Sequence, residues 1–88
     1  CKKGEAKDYI DAGVFTLEGE MPVNVDGGLK AFGHPTGATG VRMIYEVYKQ
    51  VQGKADGPRQ LKNPQVGLTH NLAGGVAINC CISIWSLP

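Results

Sequence analysis

The chain has 88 residues, one domain at most at the usual roughly 100–200 residues per domain, with room for a single modest core. Nine Lys and Arg against eight Asp and Glu leave a net charge of +1, which excludes the basic patch of a strong nucleic-acid binder. A hydrophobic share of 42% excludes a disordered acidic tail, and 13 glycines, about twice ordinary usage, announce tight turns and close backbone approaches.

Residues 1–12, CKKGEAKDYIDA, are polar and aperiodic and read as a loop, the tail of an element begun upstream. With Cys1 in place of Met at the start, a trimmed, cleaved or partial product is expected. Residues 13–18, GVFTLE, alternate weakly and predict a short strand. Residues 19–35 hold Gly19, Pro22, Gly27, Gly28, Gly33 and Pro35, a density that predicts an ordered loop and no helix.

From Thr36 the pattern changes. Val41, Ile44, Tyr45, Tyr48 and Val51 recur at helical spacing and predict an amphipathic helix over about 37–52, with Arg42 and Glu46 paired on its outer face. Gly53 is the expected stop. Glycines in the TGATG start weaken a helix, so something is expected to pack closely there. Residues 53–64 read as a polar connection. Strands are expected over about 65–70 and 76–86, joined by the turn NLAGG into an antiparallel hairpin.

The three cysteines do not make a disulfide framework. Cys80 and Cys81 are neighbours on a strand and point to opposite faces, so they read as two buried strand cysteines of a reducing compartment. No metal spacing is present, no stretch approaches a membrane span, and no signal peptide is visible.

Two histidines stand in glycine-rich surroundings. His34 lies in AFGHPTGATG, just ahead of the predicted helix, whose first N–H groups are unpaired and suit a developing anion. Pro35 fixes the backbone beside it, while Gly33 and Gly37 leave room for a ligand. An imidazole held there suits a general base or oxyanion donor, and equally a loop histidine with a structural hydrogen bond. His70 lies in LTHNLAGG at a strand end, a common place for catalytic groups and also for an ordinary edge-strand histidine.

The run VNVDGGLKAFGHPTGATGVRMIYEVYKQVQG resembles the C-terminal half of thiolases, the acyl-CoA acetyltransferases. Three parts occur in order: Val23-Asn24-Val25-Asp26-Gly27-Gly28, Gly33-His34-Pro35 and Gly37-Ala38-Thr39-Gly40. The match continues through LTHNLAGGVAINC, where most thiolases carry a Cys-x-Gly motif. The His70-Asn71 form is similar to the sterol-carrier-protein and archaeal acetyl-CoA acetyltransferase branch. The resemblance covers about residues 21–86 and marks 1–88 as a partial C-terminal thiolase domain.

The resemblance implies an α/β fold, the C-terminal fragment of a five-layered architecture made of two similar halves. It implies reversible Claisen condensation or thiolytic cleavage of acyl-CoA thioesters. His34 matches the GHP histidine, which activates a nucleophilic cysteine lying outside this chain, and His70 stands where a second acid/base acts. Gly33, Asn71, Gly74 and Gly75 are the expected oxyanion or substrate-binding positions. No cofactor is implied, since CoA thioesters are the substrates. The partners implied are acyl-CoA and CoA, the N-terminal thiolase half or another thiolase chain, and further copies in a homo-oligomer, with no nucleic acid.

Departures are Val25 and Asp26 for the usual Pro and Ser, Thr36 for an apolar residue, and a shortened final turn. Cys1, Cys80 and Cys81 do not match the nucleophile, so the 88 residues alone are expected to catalyse nothing. A non-catalytic thiolase-like scaffold or lipid-handling subunit is the alternative. A ketoacyl synthase or hydroxymethylglutaryl-CoA synthase is disfavoured by GHPTGATG. The terminal SLP is not a peroxisomal signal, and the compartment expected is the cytoplasm.

Overall fold

The computed structural model describes residues 2–74 and 79–88, in two compact units, Cys1–Gly33 and His34–Pro88. The helices are α1 (Ala6–Asp11), α2 (Gly28–Phe32) and α3 (Thr39–Val51); a 3-10 turn, Gly57–Arg59, precedes strands β1 (Val66–Ala73) and β2 (Asn79–Ser86). The expected α/β content is present, with the helix at 39–51 and the antiparallel hairpin where the pattern placed them.

The first unit departs from the sequence reading. Residues 6–11 form a helix instead of a loop. It is closed by Gly13 at φ 73°, whose N–H reaches the Ile10 carbonyl while Val14 N–H reaches that of Tyr9. Those two bonds satisfy carbonyls that would otherwise be orphaned, and Tyr9 stacks on Phe15 just beyond them. Residues 13–18 are turns and not a strand, because their backbone groups pair locally: Val14 carbonyl accepts from Met21 N–H and Phe15 carbonyl from Val23 N–H. Inside the expected 19–35 loop, Gly28–Phe32 forms one short helical turn. Asp26 Oδ1 accepts from Gly28 N–H at 2.8 Å just ahead of it. Gly27 at φ 88° is obligatory there, since a Cβ would sit 2.6 Å from the Ala31 Cβ.

The second unit is α3 laid on a hairpin. α3 begins at Thr39, two residues later than expected, because Pro35 carbonyl closes a turn onto Ala38 N–H and Thr39 N–H. It ends as predicted at Gly53. There Gly53 N–H bonds the Gln50 carbonyl and Lys54 N–H bonds that of Lys49, the paired closure that favours a left-handed glycine. Gly53 has φ 68° and open space around a Cβ, so Gly53→Ala meets a conformational cost only, about 1 kcal/mol in denaturant unfolding of the full-length protein.

β1 runs three residues beyond the expected 70, so Asn71, Leu72 and Ala73 belong to the ladder, opposite Cys81, Cys80 and Asn79. Of the second expected strand, residues 76–78 lie outside the described residues. α3 crosses one face of β1 in the opposite direction. Gly40, early in the helix, approaches Asn71, late in the strand; Val47, late in the helix, approaches Gly67, early in the strand. Seven helical residues advance about 10.5 Å and four strand residues about 13 Å, so the two contacts match.

The interior is thin: among the described residues Val51 is the buried hydrophobic, alongside buried Thr39, Gln50 and Thr69. The predicted apolar stripe of α3 therefore needs correction. Val51 is buried, but Val41 (72% exposed), Tyr45 and Tyr48 face outward. The packing face runs instead through Thr39, Gly40, Val47 and Gln50. Glu46 is not on an outer face either. It accepts from Arg59 at 2.9 Å and from Gln50 at 3.1 Å, and its side chain is mostly covered. Gln50 in turn donates to the Arg59 carbonyl and accepts from Leu61 N–H, which ties the 53–64 connection to the helix.

Cys80 and Cys81 are exposed, not buried. The register puts Cys80 on the face turned away from α3, and Cys81, with Asn71, on the face α3 only partly covers.

Asp56 bonds both Lys49 Nζ (3.1 Å) and Arg59 (3.0 Å). Lys49 foremost, with Arg59, holds the Asp56 carboxyl below its ordinary 3.8. A lowered folded value stabilises above the unfolded one and is lost as pH falls through it. The unfolding midpoint should therefore fall more steeply below pH 3.8 in the wild type than in Asp56→Asn. The difference is small for so exposed a pair and shrinks in high salt.

Candidate functional site

The candidate site lies at the start of α3. Gly33 has φ 76° and ψ −175°, a region only glycine occupies readily. A Cβ there would meet nothing within 4 Å, so backbone conformation, not space, requires glycine immediately ahead of His34.

His34 is exposed, and its ring is anchored on one side. Nδ1 lies 2.8 Å from Thr39 Oγ1, and Thr39 Oγ1 lies 3.1 Å from the Pro35 carbonyl oxygen. Thr39 is 6% exposed and sits in the first turn of the helix, so this anchor is stiff. The next residue, Gly40, receives Asn71: its Nδ2 would be 2.8 Å from a Cβ at Gly40. The first turn of α3 thus brings His34 and the Asn71 amide to the same end of the helix. Asn71 lies on the β1 face that α3 covers, with Gly67 and Thr69.

His70 is not on that face. Alternation turns it to the other side, among Val66, Leu68 and Leu72 and opposite Ile82. That side is exposed and apolar, with Ile84 70% exposed. Gly74 ends β1 at φ 110° and is exposed; Gly75 lies outside the described residues. Among the described residues no group of His, Cys, Asp and Glu is arranged to hold a metal ion.

The site can hold an imidazole still, with Nδ1 engaged by Thr39 and, among the described residues, no hydrogen bond to the other ring nitrogen. The Asn71 amide stands on β1, against Gly40 in the first turn of the same helix. That pair suits proton abstraction beside a developing oxyanion. A family model described as thiolase C-terminal domain-like matches residues 1–86. The chain belongs to this thiolase family.

Relatives of this thiolase domain agree. Acetyl-CoA acetyltransferase of Methanothermobacter thermautotrophicus is 42% identical over 85 residues, covering 97% of this chain and 22% of the relative. The acetyl-CoA acetyltransferase of Methanocaldococcus jannaschii is 43% identical over 91 residues, covering 98% of this chain and 23% of the relative. Sterol carrier protein 2 of Homo sapiens is 40% identical over 78 residues, covering 89% of this chain and 14% of the relative. The chain therefore spans less than a quarter of the length of these curated relatives.

In the sequence Thr39 reads only as part of a small-residue helix start. The available signal was a hydroxyl residue four positions after Pro35, where a side chain reaches back to the i−4 carbonyl.

Proposed function

We propose that this thiolase domain supplies the base histidine of an acyl-CoA acetyltransferase. In this reading His34 draws the proton from a nucleophilic cysteine in the remaining part of the protein. In condensation the thiolate attacks a thioester carbonyl and CoA leaves with the proton; in thiolysis it attacks the 3-keto carbon and acetyl-CoA leaves with the proton. The acyl-cysteine then passes its acyl group to a second acetyl-CoA or to CoA, and the cysteine thiol is regenerated. The Asn71 amide and backbone N–H groups near Gly74 and Gly75 are the proposed oxyanion donors. His70 enters as the second acid/base more narrowly: from the outer hairpin face it meets substrate only where acyl-CoA lies against that face. A homo-oligomer and a cytoplasmic location belong to the same reading.

One observation carries it: a GHP histidine with Nδ1 anchored by Thr39 and its other edge open, in a chain about 40% identical to acetyl-CoA acetyltransferases. The apolar outer faces of hairpin and helix support the need for the rest of the protein.

The test is acetoacetyl-CoA thiolysis by the full-length protein, with intact mass recorded on the purified species. Turnover by a longer chain supports the reading. An 88-residue native product that turns over no CoA thioester, alone or with a partner chain, sinks it. The alternative is a non-catalytic scaffold or lipid-handling subunit. It is favoured by relatives named sterol carrier protein 2 and, in Caenorhabditis elegans, non-specific lipid-transfer protein-like 2.

A further inference from the structure

We propose that Thr39 is a positioning residue that sets the tautomer of His34, holding the proton on Nδ1 and leaving the lone pair on Nε2. The inference deepens the base role proposed for His34 and rests on it for its catalytic consequence.

Two short polar gaps meet at Thr39 Oγ1: 2.8 Å to His34 Nδ1 and 3.1 Å to the Pro35 carbonyl oxygen. A threonine hydroxyl has one proton to give, and a carbonyl oxygen only accepts. If the hydroxyl donates to Pro35, its lone pair is open to an Nδ1–H, and each gap contains a proton. If instead the hydroxyl donates to a bare Nδ1, two oxygen lone pairs face each other across 3.1 Å with no proton between them. The first arrangement is the stable one. It places the imidazole lone pair on Nε2, the ring atom away from Thr39, and a general base needs its lone pair where the substrate proton is. A wrong tautomer disables an otherwise well-placed histidine.

Burial and stiffness make Thr39 suited to the task. Its hydroxyl is held from two sides, its β-branched side chain is restricted at χ1, and its own N–H bonds the same Pro35 carbonyl at 3.0 Å.

The experiment is imidazole nitrogen NMR on the full-length protein labelled with 15N-histidine, at a pH where His34 is neutral, with its signals assigned by His34→Gln. The expected wild-type spectrum shows a protonated Nδ1 and a bare Nε2. Thr39→Val should shift the population towards the Nε2–H form that free histidine prefers, and Thr39→Ser should restore the wild-type spectrum. In thiolysis, Thr39→Val should lower kcat roughly tenfold or more with KM little changed, and Thr39→Ser should recover most of it. A wild-type Nε2–H signal overturns the inference, as does a Thr39→Val spectrum unchanged from wild type. If Thr39→Val does not fold, the wild-type and Thr39→Ser spectra decide alone. Should the wild type turn over no CoA thioester, the base reading fails, while the spectra still judge the hydrogen bond.

Discussion

Replacing His34 by alanine in the full-length protein is expected to cut the rate of acetoacetyl-CoA thiolysis by at least ~10²-fold, the ordinary worth of a positioned general base. His34 is exposed and, among the described residues, hydrogen-bonds Thr39 Oγ1, so the side chain supports little packing that alanine would lose. Secondary structure and unfolding midpoint should therefore stay near wild type while turnover falls. The loss should fall mainly on kcat, since the proton moves in the chemical step. An Asn71→Ala variant gives the comparison. Its amide lies at the same end of α3, against Gly40. If it donates to the oxyanion, it too lowers kcat, whereas His70→Ala, on the opposite face of β1, separates the outer-face reading from the inner one. A His34→Ala protein that keeps more than about a tenth of wild-type turnover would remove the base role altogether.

How much of this was open to sequence reading depends on the kind of signal. The hairpin was legible because residues 76–86 are rich in β-branched residues that half alternate, after a glycine turn that follows the short run QVGLTH. Its inner boundary was not: Asn71, Leu72 and Ala73 look like turn residues, and only pairing with Cys81, Cys80 and Asn79 makes them strand. Gly53 was legible because a left-handed closure favours one residue type so strongly. α1 was not, being six residues long, too short for a period to show. The helical stripe through Val41, Tyr45 and Tyr48 has the right spacing and faces outward. Periodicity identifies an apolar face without saying whether the cover comes from this hairpin or from another part of a longer protein. The same gap explains the exposed cysteines. At the proposed site, His34 stands out in the sequence through the glycines and proline around it, because backbone constraints are written locally. Thr39 does not stand out, because its side-chain contact reaches five residues back.

Substituting alanine for Gly67 should destabilise the full-length protein by about 1–3 kcal/mol, the range for forcing an extra group into filled space. A Cβ at Gly67 would run into Val47 Cγ1 and lie 3.5 Å from its Cβ. Gly67 does not have a positive φ, so its backbone accepts alanine and the conflict is one of space alone. That separates it from Gly53, where the reverse holds. Val47 is β-branched on a helix and has little rotamer freedom with which to yield, so α3 itself must move off the strand. Removing the obstruction from the other side tests the cause. Val47→Ala alone leaves a small void, but in the double variant the new Cβ occupies that space. The two changes should therefore combine to less than their sum, with a coupling of about 0.5–3 kcal/mol in denaturant unfolding. Catalysis should follow the same cycle. α3 holds Thr39 at its first turn, and its two close approaches to β1, at Gly40 and at Gly67, set the distance of that turn from Asn71. Lifting the Val47 end should lower turnover in Gly67→Ala and restore it in the double variant. Additive behaviour in both measurements would mean that helix and strand adjust independently, and that the contact at Gly67 does not govern the geometry around His34.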